Sequence, residues 1–199
     1  MSKISILSEK VANQVAAGEV IEKPASIVKE LIENSLDAKS KNIEITIENG
    51  SCSLIIIQDD GEGMSEQDAV LSLSRHSTSK IRNICDLENI LSYGFRGEAL
   101  SSIAAVSDMR LVTKTKNSES ATEVIIKAGK ICHIGECAAI KGTRIEVRDL
   151  FYNVPARKEF QREKSVAFDV GEVHKVVTSL ALANPMIKFK LLNQNNLLF

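Results

Sequence analysis

Few folds accommodate the run Lys23-Pro24-Ala25-Ser26-Ile27-Val28-Lys29-Glu30-Leu31-Ile32-Glu33-Asn34-Ser35-Leu36-Asp37-Ala38. Proline suits the first turn of a helix, where its missing N–H would have had no intrahelical partner, and the apolar residues after it recur at helical spacing. At about 100° per residue Val28, Leu31, Ile32 and Leu36 fall on one side, while Glu30, Glu33, Asn34 and Asp37 share the other. Such a helix has one apolar face and one that carries carboxylates. Ile43-Glu44-Ile45-Thr46-Ile47-Glu48 alternates strictly, Asn49-Gly50 offers a tight turn, and Ser53-Leu54-Ile55-Ile56-Ile57 is a continuous apolar run. These spacings predict a hairpin with one well-buried strand.

The two periods go on trading places. Residues 8–18, 66–74, 86–91, 98–104 and 164–183 have helical spacing, the last through Phe168, Val173, Val176, Val177 and Leu180. Residues 109–115, 122–128, 131–137 and 143–148 read as successive antiparallel strands in a meander. A strand over 186–192, a turn at Asn195-Asn196 and a further strand from Leu197 follow, so the pattern stops midway and a longer protein is expected. The sum is an α+β fold, a two-layer sandwich with helices on one face of a mixed, mostly antiparallel sheet. A length of 199 residues at 44% hydrophobic suits a single domain spanning 1–199.

Charge sets limits on partners. With 25 Lys+Arg against 26 Asp+Glu there is no general basic field, so contact with DNA has to come from a local patch. Arg157, Lys158, Arg162 and Lys164 are the candidates, and a solvated helix face is the alternative for them. Cys52, Cys85, Cys132 and Cys137 form no C-x-x-C pair and have no histidines at zinc spacing, so they read as free thiols, mostly core filler. No apolar run nears the roughly 18 residues of a membrane helix, and no signal-peptide core begins the chain, which makes a reducing, cytoplasmic setting the default.

The polar residues with chemical potential gather in four blocks. The buried strand delivers Asp59-Asp60-Gly61-Glu62-Gly63 to its end, and Arg75-His76-Ser77-Thr78-Ser79-Lys80 is a polar loop. Gly94-Phe95-Arg96-Gly97-Glu98-Ala99-Leu100 runs into a helix N-terminus, where unpaired N–H groups attract anions, although glycine loops are also plain turns. The Walker pattern G-x-x-x-x-G-K-[ST] is absent from the sequence. If a triphosphate lies there, Asn34 suits a magnesium ion that keeps several waters, and Glu30, one turn earlier, could deprotonate an attacking water. Asp59 could accept from an exocyclic amine such as that of adenine, or could simply cap its turn. Lys80 and Arg96 could meet phosphate charge or remain solvated, and His76 can be an ordinary loop residue.

Read in order, Glu30…Asn34, Asp59-x-Gly61-x-Gly63, Gly94-x-x-Gly97 and Gly142-Thr143 resemble the four-motif ATP site of the GHKL superfamily. The wording is that of its DNA mismatch repair branch, the MutL family. Ala12-Asn13-Gln14-Val15-Ala16-Ala17-Gly18-Glu19-Val20, the helix block 29–38, the loop 94–100 and Asp149-Leu150-Phe151-Tyr152-Asn153-Val154-Pro155-Ala156-Arg157-Lys158 all look like its hallmarks. The resemblance implies ATP and Mg²⁺ as ligand and cofactor, with Glu30 as general base, Asn34 as the Mg²⁺ ligand, and Asp59 and Thr143 at the adenine. It also implies that Gly61 and Gly63 line the nucleotide, that Thr78, Ser79 and Lys80 belong to a lid, and that Gly94, Phe95, Arg96, Gly97, Glu98, Ala99 and Leu100 bind phosphate. It further implies an ATP-dependent homodimer of N-terminal regions, signalling to a mismatch-recognition protein and to a downstream nuclease or helicase, and weak DNA contact. A lysine from a following second domain would complete the site, and a C-terminal domain would dimerise. Two other readings remain: a binding module in which Glu30 is idle, and a strand-passing or chaperone ATPase of the same superfamily.

Overall fold

A computed structural model describes residues 21–48, 53–75, 77–78, 93–94 and 97–199. The expected N-terminal helix, the Asn49-Gly50 turn, the helix over 86–91, His76, Cys52 and Cys85 lie outside these residues.

Helix α1, Pro24–Asp37, starts as the sequence dictates: Lys23 is extended at φ −151° and proline takes the first helical turn. Ala25, Ile27, Val28, Leu31 and Ile32 are buried. Leu36, expected among them, is only partly buried but packs against the core. Glu33 departs from the expected polar side, being 7% exposed, with its carboxylate 3.0 Å from Lys29 Nζ. The reason is that α1 is covered by more than the sheet. It packs on strands β1 (Asn42–Glu48) and β2 (Leu54–Asp59) and also on the long helix α5 (Val166–Ala183), which widens its buried arc beyond one stripe.

Strands β1 and β2 pair antiparallel, with Ile45 opposite Ile57 and Ile47 opposite Ile55, all four nearly or wholly buried. Each such isoleucine contributes about 1.5–3 kcal/mol on leaving water. Helix α2 (Glu66–Leu71) is capped by Ser65, whose hydroxyl accepts from the Asp68 N–H, and is shorter than 66–74. Helix α3 (Ala99–Ala105) buries Ile103 and Ala104, and strands β3 (Asp108–Lys114), β4 (Ala121–Lys127), β5 (Lys130–Cys137) and β6 (Gly142–Arg148) follow. Helix α4 (Pro155–Arg162) precedes α5, and β7 (Lys188–Asn193) and β8 (Asn196–Leu197) close the described chain.

The four middle strands are not a meander. The sheet runs β5-β4-β3-β6-β2-β1-β7-β8, so β6 leaves β5 behind and slots between β3 and β2. Burial explains it: Ile145 and Val147 of β6 are buried and gain neighbours on both sides, whereas β5 is exposed along most of its length and tolerates an edge. The β1–β7 pairing is parallel and the rest are antiparallel, which makes the sheet mixed. Two details also differ from the spacing. Helix α5 begins at Val166 behind the cap Ser165, and Phe168, expected in the core, is 52% exposed. Cys132 is exposed and Cys137 half-buried, so neither fills the core, though both are free thiols as expected.

On the sheet face away from the helices, Glu146 of β6 is 6% exposed and collects Arg110, Arg144 and Arg148 at 3.2, 3.0 and 3.0 Å. Burial alone would raise its carboxyl pKa, but hydrogen bonds from Arg148 and Arg144 and the charges of Arg144 and Arg110 outweigh burial and hold it below 4.5. A carboxylate with a depressed folded-state pKa stabilises the fold above its unfolded value and loses that effect as pH falls through the folded one. Glu146→Gln should therefore cost about 1–3 kcal/mol at pH 7, and the deficit should shrink as the pH drops below 4.5. Urea unfolding at pH 7 and near pH 3 reads both arms; a pH-independent deficit would mean that packing, not charge, is responsible.

Candidate functional site

At the C-terminal end of β2, Asp59 is 7% exposed and carries no cation partner among the described residues. Three donors hold it instead: the Ser35 hydroxyl of α1 on Oδ2 at 2.8 Å, and the N–H groups of Gly61 and Thr143 on Oδ1 at 2.8 and 3.3 Å. A buried carboxylate is tolerable only with such bonds, and its oxygens can accept about four in all, which leaves room for one more donor. Thr143 belongs to β6, and its Oγ1 lies 3.0 Å from Thr113 Oγ1 of β3, which in turn accepts from the Met64 N–H at 2.9 Å. Donors from α1, the turn after β2 and β6 thus converge on one carboxylate, and β3 braces the last of them through Thr113.

That convergence needs Gly142. Its φ is +121°, and a Cβ there would sit 2.0 Å from the Asp59 carbonyl oxygen, a backbone atom that cannot swing aside. Only glycine lets β6 approach the end of β2 this closely.

Helix α1 carries Glu30, Asn34 and Asp37 at spacings of four and three, so all three share a face, and each is half-buried. Asp37 reaches across to the start of the glycine loop, where its Oδ1 accepts the Tyr93 N–H at 3.1 Å and its Oδ2 the Gly94 N–H at 3.4 Å. Further along the loop, Gly97 has φ +64°, and a Cβ on it would stand 2.6 Å from the Ser77 carbonyl oxygen. The residue preceding Thr78 is therefore packed against the loop by a contact that any side chain at 97 would push apart. Glu98, Ala99 and Leu100 form the entry to α3 and are half-buried.

A match to the model of the histidine kinase-, DNA gyrase B- and HSP90-like ATPases covers residues 21–149. The chain belongs to that family. Its sequence is 51% identical, over all 199 residues, to the DNA mismatch repair protein MutL of Caldanaerobacter subterraneus subsp. tengcongensis, covering 33% of that protein. It is 48% identical over its full length to the MutL of Opitutus terrae, covering 31% of it. The chain thus spans about a third of the length of these curated relatives. Among solved structures, the Aquifex aeolicus MutL ATPase domain complexed with ADP superposes with a TM-score of 0.71 at 31% identity, over 90% of this chain and 63% of that one. The N-terminal domain of a DNA repair protein gives 0.78 at 28% identity, over 94% and 55%.

For this MutL-like ATPase-family domain, Glu30, Asn34, Asp59, Gly61, Gly63, Thr78, Gly94, Gly97, Glu98, Ala99, Leu100 and Thr143 all have described positions within the matched span. Ser79, Lys80, Phe95 and Arg96 lie outside the described residues. Spacing does not single out Ser35, which sits on the buried side of α1 yet donates to Asp59, or Asp37, which by spacing is only part of an acidic stripe. The i,i+1 step from Asn34 to Ser35 hides the first, because a residue turned about 100° away looks like core. Among the described residues no group of three or more His, Cys, Asp or Glu is placed to hold a metal. No helix of the described residues is long and apolar enough to cross a membrane.

Proposed function

We propose that the chain binds ATP with Mg²⁺ and hydrolyses it as the N-terminal ATPase domain, residues 1–199, of a MutL-type DNA mismatch repair protein. The observation that carries this reading is that the helix bearing Glu30 and Asn34 also supplies Ser35, whose hydroxyl orients the Asp59 carboxylate. Asp59 accepts the adenine amine, with Thr143 beside it and Gly61 and Gly63 lining the nucleotide. Asn34 would hold Mg²⁺ through its side-chain oxygen, and Glu30, one turn before it, takes the proton of the attacking water. Magnesium, when bound, offsets the charge of the phosphates. Gly94 to Leu100 cradle those phosphates, and Thr78, Ser79 and Lys80 close over them.

In the whole protein, ATP binding drives N-terminal homodimerisation, and the dimer signals to a mismatch-recognition protein and a downstream nuclease or helicase in the cytoplasm. Contact with DNA is weak and non-specific. The resemblance implies a further lysine from a following second domain, so turnover is best measured in the full-length protein.

Saturation at about 100-fold over Kd stabilises a fold by about 2.7 kcal/mol. For a domain of this size ATP with Mg²⁺ should raise Tm by about 5–10 °C, and GTP with Mg²⁺ by far less. Equal shifts with both nucleotides would remove Asp59 as the adenine reader, and no shift with either would remove the proposal.

A further inference from the structure

We propose that Asn184, at the far end of α5, is a positioning residue for the nucleotide-binding loop and acts through Tyr93. The inference rests on the nucleotide reading above and concerns a residue that belongs to no phosphate-binding motif.

Tyr93 and Gly94 begin the glycine loop and are held from two directions. On one side Asp37, at the last turn of α1, accepts both of their N–H groups at 3.1 and 3.4 Å. On the other, the Tyr93 hydroxyl donates to Asn184 Oδ1 at 3.3 Å and lies 3.2 Å from Asn184 Nδ2. Asn184 is itself fixed, because its Nδ2 donates to the Leu180 carbonyl oxygen at 2.9 Å as the C-cap of α5. Helices α1 and α5 pack on each other, so both anchors belong to one rigid layer.

This arrangement goes beyond capping. A C-cap asparagine needs only its own helix, and a tyrosine 47% exposed needs no partner at all, since water would serve its hydroxyl. What the bond adds is a second fixed point for the first residue of the loop. With the Tyr93 and Gly94 N–H groups taken up by Asp37 and the Tyr93 hydroxyl tied to Asn184, the point from which the loop departs is fixed before any phosphate arrives. Preorganisation of this kind lowers the ordering cost of binding.

Tyr93→Phe and Asn184→Ala test the tether in the full chain. Tyr93→Phe deletes one oxygen from an exposed site and leaves the Asn184–Leu180 bond, so the fold survives even if Asn184→Ala frays the end of α5. Each variant should weaken ATP binding about three- to tenfold, the scale of one hydrogen bond, with Tm in the absence of nucleotide unchanged for Tyr93→Phe. The double variant should bind no worse than the weaker single one, because both remove the same bond. Without nucleotide, amide exchange at Tyr93 and Gly94 should quicken in both variants. Additive losses of affinity, or wild-type affinity together with wild-type exchange in Tyr93→Phe, would overturn the tether. If the unsubstituted chain bound no nucleotide while exchange still quickened, the nucleotide reading would fall and the tether would stand as a purely structural pin, which also overturns Asn184 as a positioning residue.

Discussion

Glu30→Ala is expected to slow ATP turnover by about 10²–10⁴-fold in the full-length protein while ATP affinity stays within a few-fold of the original, the size of a missing general base. Alanine is the best helix former, and Glu30 is only half-buried on α1, so the helix and the Asp59 anchor on its other side should survive. Glu30→Gln sharpens the result, since it keeps the shape and loses only basicity. Phosphate release under saturating ATP, paired with calorimetric binding, separates chemistry from binding. Unimpaired turnover in both variants would leave the second reading, a module that binds nucleotide and changes shape without Glu30.

The second large effect concerns Asp59. In Asp59→Ala the N–H groups of Gly61 and Thr143 and the Ser35 hydroxyl lose their acceptor together, and each stranded buried donor costs about 1–3 kcal/mol. Ser35 has an alternative, since it also lies 3.1 Å from the Leu31 carbonyl oxygen. The expected losses are at least about 2 kcal/mol of stability and all measurable ATP binding. Asp59→Asn is the more telling change. Its oxygen can keep the two backbone donors and its amide can face Ser35 Oγ, so stability should hardly move. An incoming adenine amine would then meet an N–H instead of a lone pair, and affinity for ATP should fall by about 10²-fold or more. Binding of ATP by Asp59→Asn at the original strength would sink the assignment.

How much of this could be read beforehand depends on whether the signal is local. Helix α1, the hairpin and the four later strands were legible to within a residue or so, because apolar alternation and helical spacing are properties of neighbouring positions. The partner of β6 was not, because Ile145 and Val147 reveal that they are buried but not what buries them. Glu33 misled for a related reason: its polarity predicts water, while the packing of α5 over α1 is decided elsewhere in the chain. Glu30, Asn34 and Asp59 could be nominated by chemistry and spacing. Ser35, Asp37, Tyr93 and Asn184 could not, since each acts by reaching a residue 24 or more positions away.

The seat of β6 between strands that precede it by very different distances has a bearing on synthesis. Asp59 emerges early from the ribosome, but the Thr143 amide that completes its cradle, and the strand that joins β2 to β3, appear only some eighty residues afterwards. Until then a nascent chain carries β2 with an open flank and a half-covered carboxylate. Such long-range pairing makes folding slow and leaves the early hairpin open to wrong partners. ATP cannot act as an early template for this domain, and any rescue of folding-impaired variants by nucleotide should be confined to chains that already contain residue 148.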